Sequence, residues 1–158
     1  MRGFEKISIK QFKRDVVGDY NKIILPVRKT KNSAGYDFHL INDVTLNPGA
    51  ILKIPLGIKA YMNEDEYLAL VIRSSLGFKY NIRLCNQIGV IDSDYYNNSD
   101  NEGHIFIAIQ NEGSKSVTFK AGDAIIQGIF MKYLIADQDT ASNLRTGGIG
   151  STSKGDKE

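Results

Sequence analysis

The sequence predicts an all-β fold, a sandwich or barrel of short strands, and three observations carry that reading. Apolar and polar side chains alternate with a period of two: Tyr36, Phe38 and Leu40 against Asp37 and His39, then Leu56, Ile58, Ala60 and Met62, then Ile105, Ile107 and Ile109. Turn-forming clusters separate these runs at intervals of about 8–12 residues; they are Asn47-Pro48-Gly49, Asn63-Glu64-Asp65, Asn111-Glu112-Gly113 and Ala121-Gly122-Asp123. Strands do not alternate with long helical patterns, and no segment repeats.

Taken in order, Ser8 followed by Gln11 has the form of a capping box. Ile9, Phe12, Val16 and Val17 fall on one face before Gly18, which predicts a short helix within residues 1–21. A β core follows over residues 22–135. Ile23, Ile24, Leu25 and Val27 form a short apolar run, residues 67–72 a continuous apolar strand, and Val117 with Phe119 a further short one. Residues 124–134 make a long β-branched strand interrupted by Gly128. Residues 136–158 lose the apolar pattern and predict a flexible arm. The chain of 158 residues, 42% apolar, suits a single domain over residues 1–158.

Charge narrows the partners. A net charge of +2 and a pI near 8.6 are too mild to make nucleic acid or membrane the main partner. The distribution is uneven: residues 1–31 hold nine Lys/Arg against three Asp/Glu, whereas residues 92–102 hold four acids and no base. The one cysteine, Cys85, excludes an intramolecular disulfide, and its neighbours Ile82 and Leu84 suggest a buried, inert thiol. Without a leader or a long apolar run, the expected compartment is the cytoplasm.

The chemistry centres on residues 86–95, which begin as an apolar β-type run and end in Asp92, Asp94 and Tyr95. Ile88, Val90 and Ile91 are expected to anchor this run in the core, holding Asp92 rigidly at a strand end where a carboxylate can aim a water. Conventional sites fail. A calcium loop counted from Asp92 has Asn97 where glycine is needed and Gly103 where glutamate is needed. His39 and His104 lack metal-ligand spacing, and there is no nucleophile elbow. Gly147-Gly148-Ile149-Gly150-Ser151-Thr152 lacks the lysine of a Walker loop. What remains is scattered. Arg73-Ser74-Ser75 reads either as a turn with a surface cation or as a grip on phosphate oxygens. Asp37 is expected at the surface, where it could hold a metal through water. Arg145 and the glycines after it could close over an anion.

In order and spacing, this set resembles the five motifs of the trimeric dUTP pyrophosphatases (dUTPases) of bacterial or phage type. They are Ala34-Gly35-Tyr36-Asp37, Arg73-Ser74-Ser75-Leu76-Gly77, Gly89-Val90-Ile91-Asp92-Ser93-Asp94-Tyr95, Gly122-Asp123-Ala124-Ile125-Ile126-Gln127, and Arg145-Thr146-Gly147-Gly148-Ile149-Gly150-Ser151-Thr152. The resemblance implies a jelly-roll-like β-clip subunit, a homotrimer with shared active sites, Mg2+ on the substrate, and hydrolysis of dUTP to dUMP and pyrophosphate. It makes Asp92 the residue that activates water and Tyr95 the ring under the deoxyribose. Asn86 and its neighbours, with Gly89 and Ile91, become a hairpin reading uracil. Arg73, Ser74, Ser75 and Gln127 hold phosphate, and Asp37 acts through metal-bound water. Arg145, Gly148, Ile149, Gly150, Ser151 and Thr152 fold over the nucleotide.

Three departures stand out. Ala124 replaces an arginine that the fourth motif usually carries, Ile149 replaces an aromatic in the fifth, and residues 96–102 intervene before Gly103. That excursion reads as a solvent loop. The resemblance leaves two alternatives: dCTP deaminase, which shares the fold but would need a central glutamate, and a regulatory protein partner if the chain is phage-encoded.

Overall fold

The computed structural model describes residues 1–143 together with Arg145, Gly147 and Gly148. Eleven strands and two short helices run in the order β1 (Gly3–Lys6), α1 (Ile9–Asp15), β2 (Tyr36–His39), β3 (Val44–Leu46), β4 (Ile51–Pro55), β5 (Ile58–Tyr61), β6 (Glu66–Ile72), α2 (Ser74–Tyr80), β7 (Ile82–Leu84), β8 (Gly89–Asp92), β9 (Phe106–Asn111), β10 (Val117–Phe119) and β11 (Ala124–Lys132). The architecture is jelly-roll-like, with no closed barrel among the described residues. A four-stranded sheet runs β2-β11-β6-β8, a three-stranded one β4-β9-β7, and two pairs β1-β5 and β10-β3. Every pairing is antiparallel.

Alternation puts one core between these sheets. It draws Leu46, Ile54, Ile58, Leu68, Leu70, Ile109, Phe119 and Ile126 from seven strands, and Phe4 of β1 packs against it. At about 1.5–3 kcal/mol for each fully buried aliphatic or phenyl side chain, this is the main stabilising term. No helix of the described residues is long and apolar enough to cross a membrane.

The structure corrects several expectations. Helix α1 stops at Asp15, so of its anticipated apolar face only Phe12 and Val16 are buried, while Ile9 and Val17 face solvent. The capping box is half formed. Ser8 Oγ accepts the Gln11 N–H at 3.1 Å, but the Gln11 amide turns to Asp15, and Glu102 takes both the Ser8 N–H and its hydroxyl at 2.9 and 2.6 Å. Of the run after Lys22 only Ile23 is buried; its sole ladder contact is a bridge between Val27 and Asp37. Five elements escaped the pattern: strands β1, β3, β4 and β7, and helix α2. Strand β1 is too short to show periodicity, and α2 begins inside Arg73-Ser74-Ser75, ending where Asn81 adopts a left-handed conformation (φ 53°).

Residues 96–103 are not a solvent loop but a polar plug. Asn98 and Asn101 are buried, and His104 beside them is fully so. Asn98 Nδ2 donates to the Tyr95 carbonyl and to Asn101 Oδ1, both at 2.8 Å, while Asn98 Oδ1 accepts the N–H groups of Asp100 and Asn101. Ties to the N-terminal segment hold the outside: Ser8 to Glu102, Arg14 to the Asp100 carbonyl, Glu5 to Tyr96. Gly103 closes the plug at φ 80°, and a Cβ there would stand 2.6 Å from the Tyr95 carbonyl oxygen. Left-handed backbone and contact with main chain both exclude a side chain. Gly103→Ala is therefore expected to destabilise the fold by about 2–3 kcal/mol, read as a lower urea midpoint with unchanged slope.

Candidate active site

Strand β8 carries the central carboxylate. Its register against β6 places Gly89 opposite Leu70 and Asp92 opposite Tyr67. Of the expected apolar anchors, Ile88 and Val90 are about half exposed and only the half-buried Ile91 packs against the core; the buried member is Gly89, packed on Leu70. Backbone pairing with β6, with Ile91 as the one apolar anchor, fixes the strand.

A short helical turn, Ser93–Tyr95, then points Tyr95 inward. Its hydroxyl donates to the His104 carbonyl at 3.0 Å and accepts from Asn101 Nδ2 at 2.8 Å. Burial, the larger influence, holds the phenol above its usual value despite that amide. The ring is thus pinned at its far end, with one face toward a cleft of about 540 Å³ lined also by Cys85, Asn86, Ile91, Asp92, Phe106 and Arg145. Arg145 spans both carboxylates, its Nη2 on Asp92 at 2.5 Å and its Nε on Asp94 at 2.8 Å, with its guanidinium carbon 5.6 Å from the Tyr95 ring centre. Gly148 packs against the plug, its N–H directed at Asp100 Oδ2 at 3.3 Å. Ile149, Gly150, Ser151 and Thr152 lie outside the described residues.

A second cleft, about 240 Å³, gathers Lys29, Ser33, Gly35, Asp37, Arg73, Ser74, Ser75 and Gln127. Register brings them together: Gln127 of β11 lies opposite Asp37 of β2, and Val71 of β6 opposite Gln127. Arg73 follows two residues after Val71 as the N-cap of α2. Its Nε pairs with Asp37 Oδ1 at 3.2 Å, and its Nη1 donates to the Ala124 carbonyl at 3.0 Å. Gly35 leaves the room that the Gln127 amide occupies. Asp37 is buried rather than at the surface, and its Oδ2 has no hydrogen-bond partner.

The comparisons with known proteins agree with this geometry. The dUTPase family model matches residues 21–154. The deoxyuridine 5'-triphosphate nucleotidohydrolase of Lactococcus lactis is 42% identical over 154 residues, covering 96% of this chain and 97% of that protein. The chain belongs to the dUTPase family. A crystal structure of the dUTPase from Streptococcus mutans, 41% identical, superposes with a TM-score of 0.72 over 85% of this chain and 98% of that one. A dUTPase mutant from phage phi11 of S. aureus, solved with a structural Mg(II) ion, shares the fold at 16% identity and a TM-score of 0.68, over 90% and 97% of the two chains.

Against the family's motifs, the described residues fall into two groups that share no lining residue. Asn86, Gly89, Ile91, Asp92, Tyr95 and Arg145 line the first cleft; Asp37, Arg73, Ser74, Ser75 and Gln127 line the second. Residues 85–88 are not the turn of a two-stranded hairpin, because β7 pairs with β9 and β8 with β6. Cys85 is half-buried and faces the first cleft. Strand parity was the available signal: Ile82 and Leu84 are buried, so Arg83 and Cys85 take the other face. The sequence reading also missed Lys29, Lys53 and Phe106 as lining residues, and His104 as the support of Tyr95.

That support has a defined protonation state. The Gly57 N–H donates to His104 Nε2 at 2.9 Å, so Nε2 is unprotonated and Nδ1 carries the hydrogen toward Asp15 Oδ2, 2.6 Å away. Burial, outweighing the pull of Asp15, holds His104 below the usual imidazole range. A depressed folded-state pKa means that this contribution to stability is intact above about pH 6.5 and is lost as pH falls through the lower folded value. Melting temperature should therefore decline between pH 7 and 5, and His104→Gln should flatten that decline while lowering stability at pH 7. An equally steep decline in the variant would assign it to other groups.

Proposed function

We propose that the protein hydrolyses dUTP to dUMP and pyrophosphate at active sites assembled between chains of a homotrimer. The observation that carries this reading is the placing of the two clefts on one sheet. Strands β8 and β2 are its opposite edges, separated by β6 and β11. Three inter-strand gaps of about 4.8 Å, with Asp92 and Asp37 four residues apart along β6, separate the two carboxylates by roughly 20 Å. The water attacked onto an α-phosphate and the groups gripping that phosphate's neighbours must lie within a few ångströms of one another. One chain therefore offers two half-sites too far apart to act on one phosphate group, and a second copy supplies the complement.

In this arrangement Asp92 accepts the proton of the attacking water. It is half exposed, and its Oδ1 has no partner among the described residues, so it can orient water while Arg145 steadies Oδ2. Tyr95, fixed by Asn101 and the His104 carbonyl, floors the sugar and leaves no space for a 2′-hydroxyl. Asn86 and the neighbouring backbone, with Gly89 and Ile91, read the uracil edge; a wrong base leaves buried groups unpaired at about 1–3 kcal/mol each. Arg73, Ser74, Ser75 and Gln127 hold phosphate oxygens. Arg145 and Gly148, followed by Ile149, Gly150, Ser151 and Thr152, cover the nucleotide.

Magnesium fits this donor set. The buried, unpartnered Asp37 Oδ2 beside Arg73 is suited to accept from a metal-bound water. Among the described residues no three His, Cys, Asp or Glu side chains cluster, so Asp37 would hold the ion jointly with substrate phosphates. When bound, the ion neutralises phosphate charge and orients the chain. The role that follows is cytoplasmic removal of dUTP, which keeps uracil out of DNA and supplies dUMP for thymidylate synthesis.

Asp92→Asn should lower kcat for pyrophosphate release by about 10²–10⁴-fold while dUTP still binds; near-native turnover would sink the assignment. Tyr95→Ala should raise turnover of UTP relative to dUTP, and an unchanged ratio would remove it from the sugar site. Sharing between chains has its own signature. Unfolded together and refolded as mixed trimers, inactive Asp92→Asn and Arg73→Ala chains should recover about a quarter of wild-type activity, since each site then draws its halves at random. No recovery would place both halves in one chain.

A further inference from the structure

The phosphate-side cleft carries less positive charge than its proposed ligand requires. Arg73 is committed on two sides, to Asp37 Oδ1 and to the Ala124 carbonyl. Ala124 itself offers no charge, and Gln127, Ser74 and Ser75 are neutral. One further cation lines the cleft: Lys29.

We infer that Lys29 is a substrate-binding residue, the second cation on the triphosphate. This rests on the dUTPase reading above and adds a residue that none of the five motifs contains. Three features place it. Val27 bridges Asp37 in antiparallel register, with the Asp37 N–H donating to the Val27 carbonyl at 2.9 Å, so Val27 and Asp37 project to the same side. Two residues on, Lys29 returns to that side, whereas Arg28 takes the other, with its guanidinium 5.8 Å from the Tyr36 ring centre. The turn is held locally. Arg28 Nη1 donates to the Lys31 and Ser33 carbonyls, each at 3.0 Å, and the Ser33 hydroxyl to the Thr30 carbonyl, also at 3.0 Å. Lys29 is thus carried by a backbone that its neighbours pin, and among the described residues its ammonium has no hydrogen bond or ion pair. Its field already reaches the inner wall: burial first, and Lys29 second, hold His39 below the usual imidazole range.

An exposed lysine on a turn is usually a solvated charge. Here its partners differ from solvent: it shares a cleft with a half-buried arginine, three hydroxyls and an amide, all able to donate, and the one acid present, Asp37, has one oxygen already paired with that arginine. That set suits a polyanion and repels a cation unless the anion brings it.

The test is calorimetric binding of the non-hydrolysable α,β-imido analogue of dUTP, with deoxyuridine, which lacks the phosphates, as the comparison ligand. Lys29→Ala should weaken the analogue about tenfold and deoxyuridine less than about twofold, with Lys29→Arg restoring most of the loss. Lys31→Ala, which removes the same charge two residues away outside the cleft, should leave both affinities unchanged. An analogue affinity unaltered by Lys29→Ala, or altered equally by Lys31→Ala, overturns the assignment to Lys29. A wild-type protein that binds neither ligand overturns the dUTPase reading instead.

Discussion

The ladder between β6 and β11 is the constraint on which the rest depends. Seven consecutive register pairs, from Ile126 with Ile72 to Lys132 with Glu66, make it the longest pairing in the described chain. Each strand then carries one edge: β6 holds β8 and with it Asp92, and β11, which bears Gln127, holds β2 and with it Asp37. Because side chains change face with every residue, a slip of one position in this ladder would turn Gln127 out of its cleft and misplace Arg73 beyond the strand end. Leu68, Leu70 and Ile126, all essentially without solvent exposure, prevent the slip, since it would carry them outward. Site geometry is thus enforced by core burial on the opposite face of the same strands.

Much of this was legible in the sequence, and the failures have physical causes. Period-two alternation located β2, β5 and β9, and continuous apolar runs located β6 and β11, because each buries one face or both against the same core. The motif residues were legible as types suited to phosphate and to general-base chemistry. What could not be read is the partition into two clefts, since it depends on which strands are neighbours, and neighbours in the sheet are distant in sequence. The exposed side of β8 misled for a related reason. Its apolar residues at Ile88 and Val90 were expected inside, yet a strand paired by backbone on one side stays in place with Ile91 as its one apolar anchor. The plug at residues 96–103 misled because its polar composition matches that of a solvent loop; only the pairing of one amide with another distinguishes them.

Arg145 introduces a competition. It sits on Asp92 and Asp94 of its own chain, in the cleft where the proposed water would be activated. Both carboxylates are about half exposed while the guanidinium is mostly covered, so the contact can be exchanged only for another anionic partner in the same cleft. Under the proposed function the same guanidinium would rest on the carboxylates between turnovers and exchange them for the nucleotide's phosphates, a smaller cost than ordering a solvated arm from scratch.

The polar plug has a consequence for how the segment tolerates change. Asn101 holds Asn98, the Tyr95 hydroxyl and the Gly103 N–H at once, and Asn98 holds the backbone of three neighbours. Within such a closed set the energies of single substitutions do not add: the first replacement strands several buried partners, and the second finds them already stranded. The segment therefore behaves as one unit, costly to enter by single steps and open to replacement only as a block. The ring that floors the proposed sugar site is embedded in that block, so its position is set by residues that never touch a ligand.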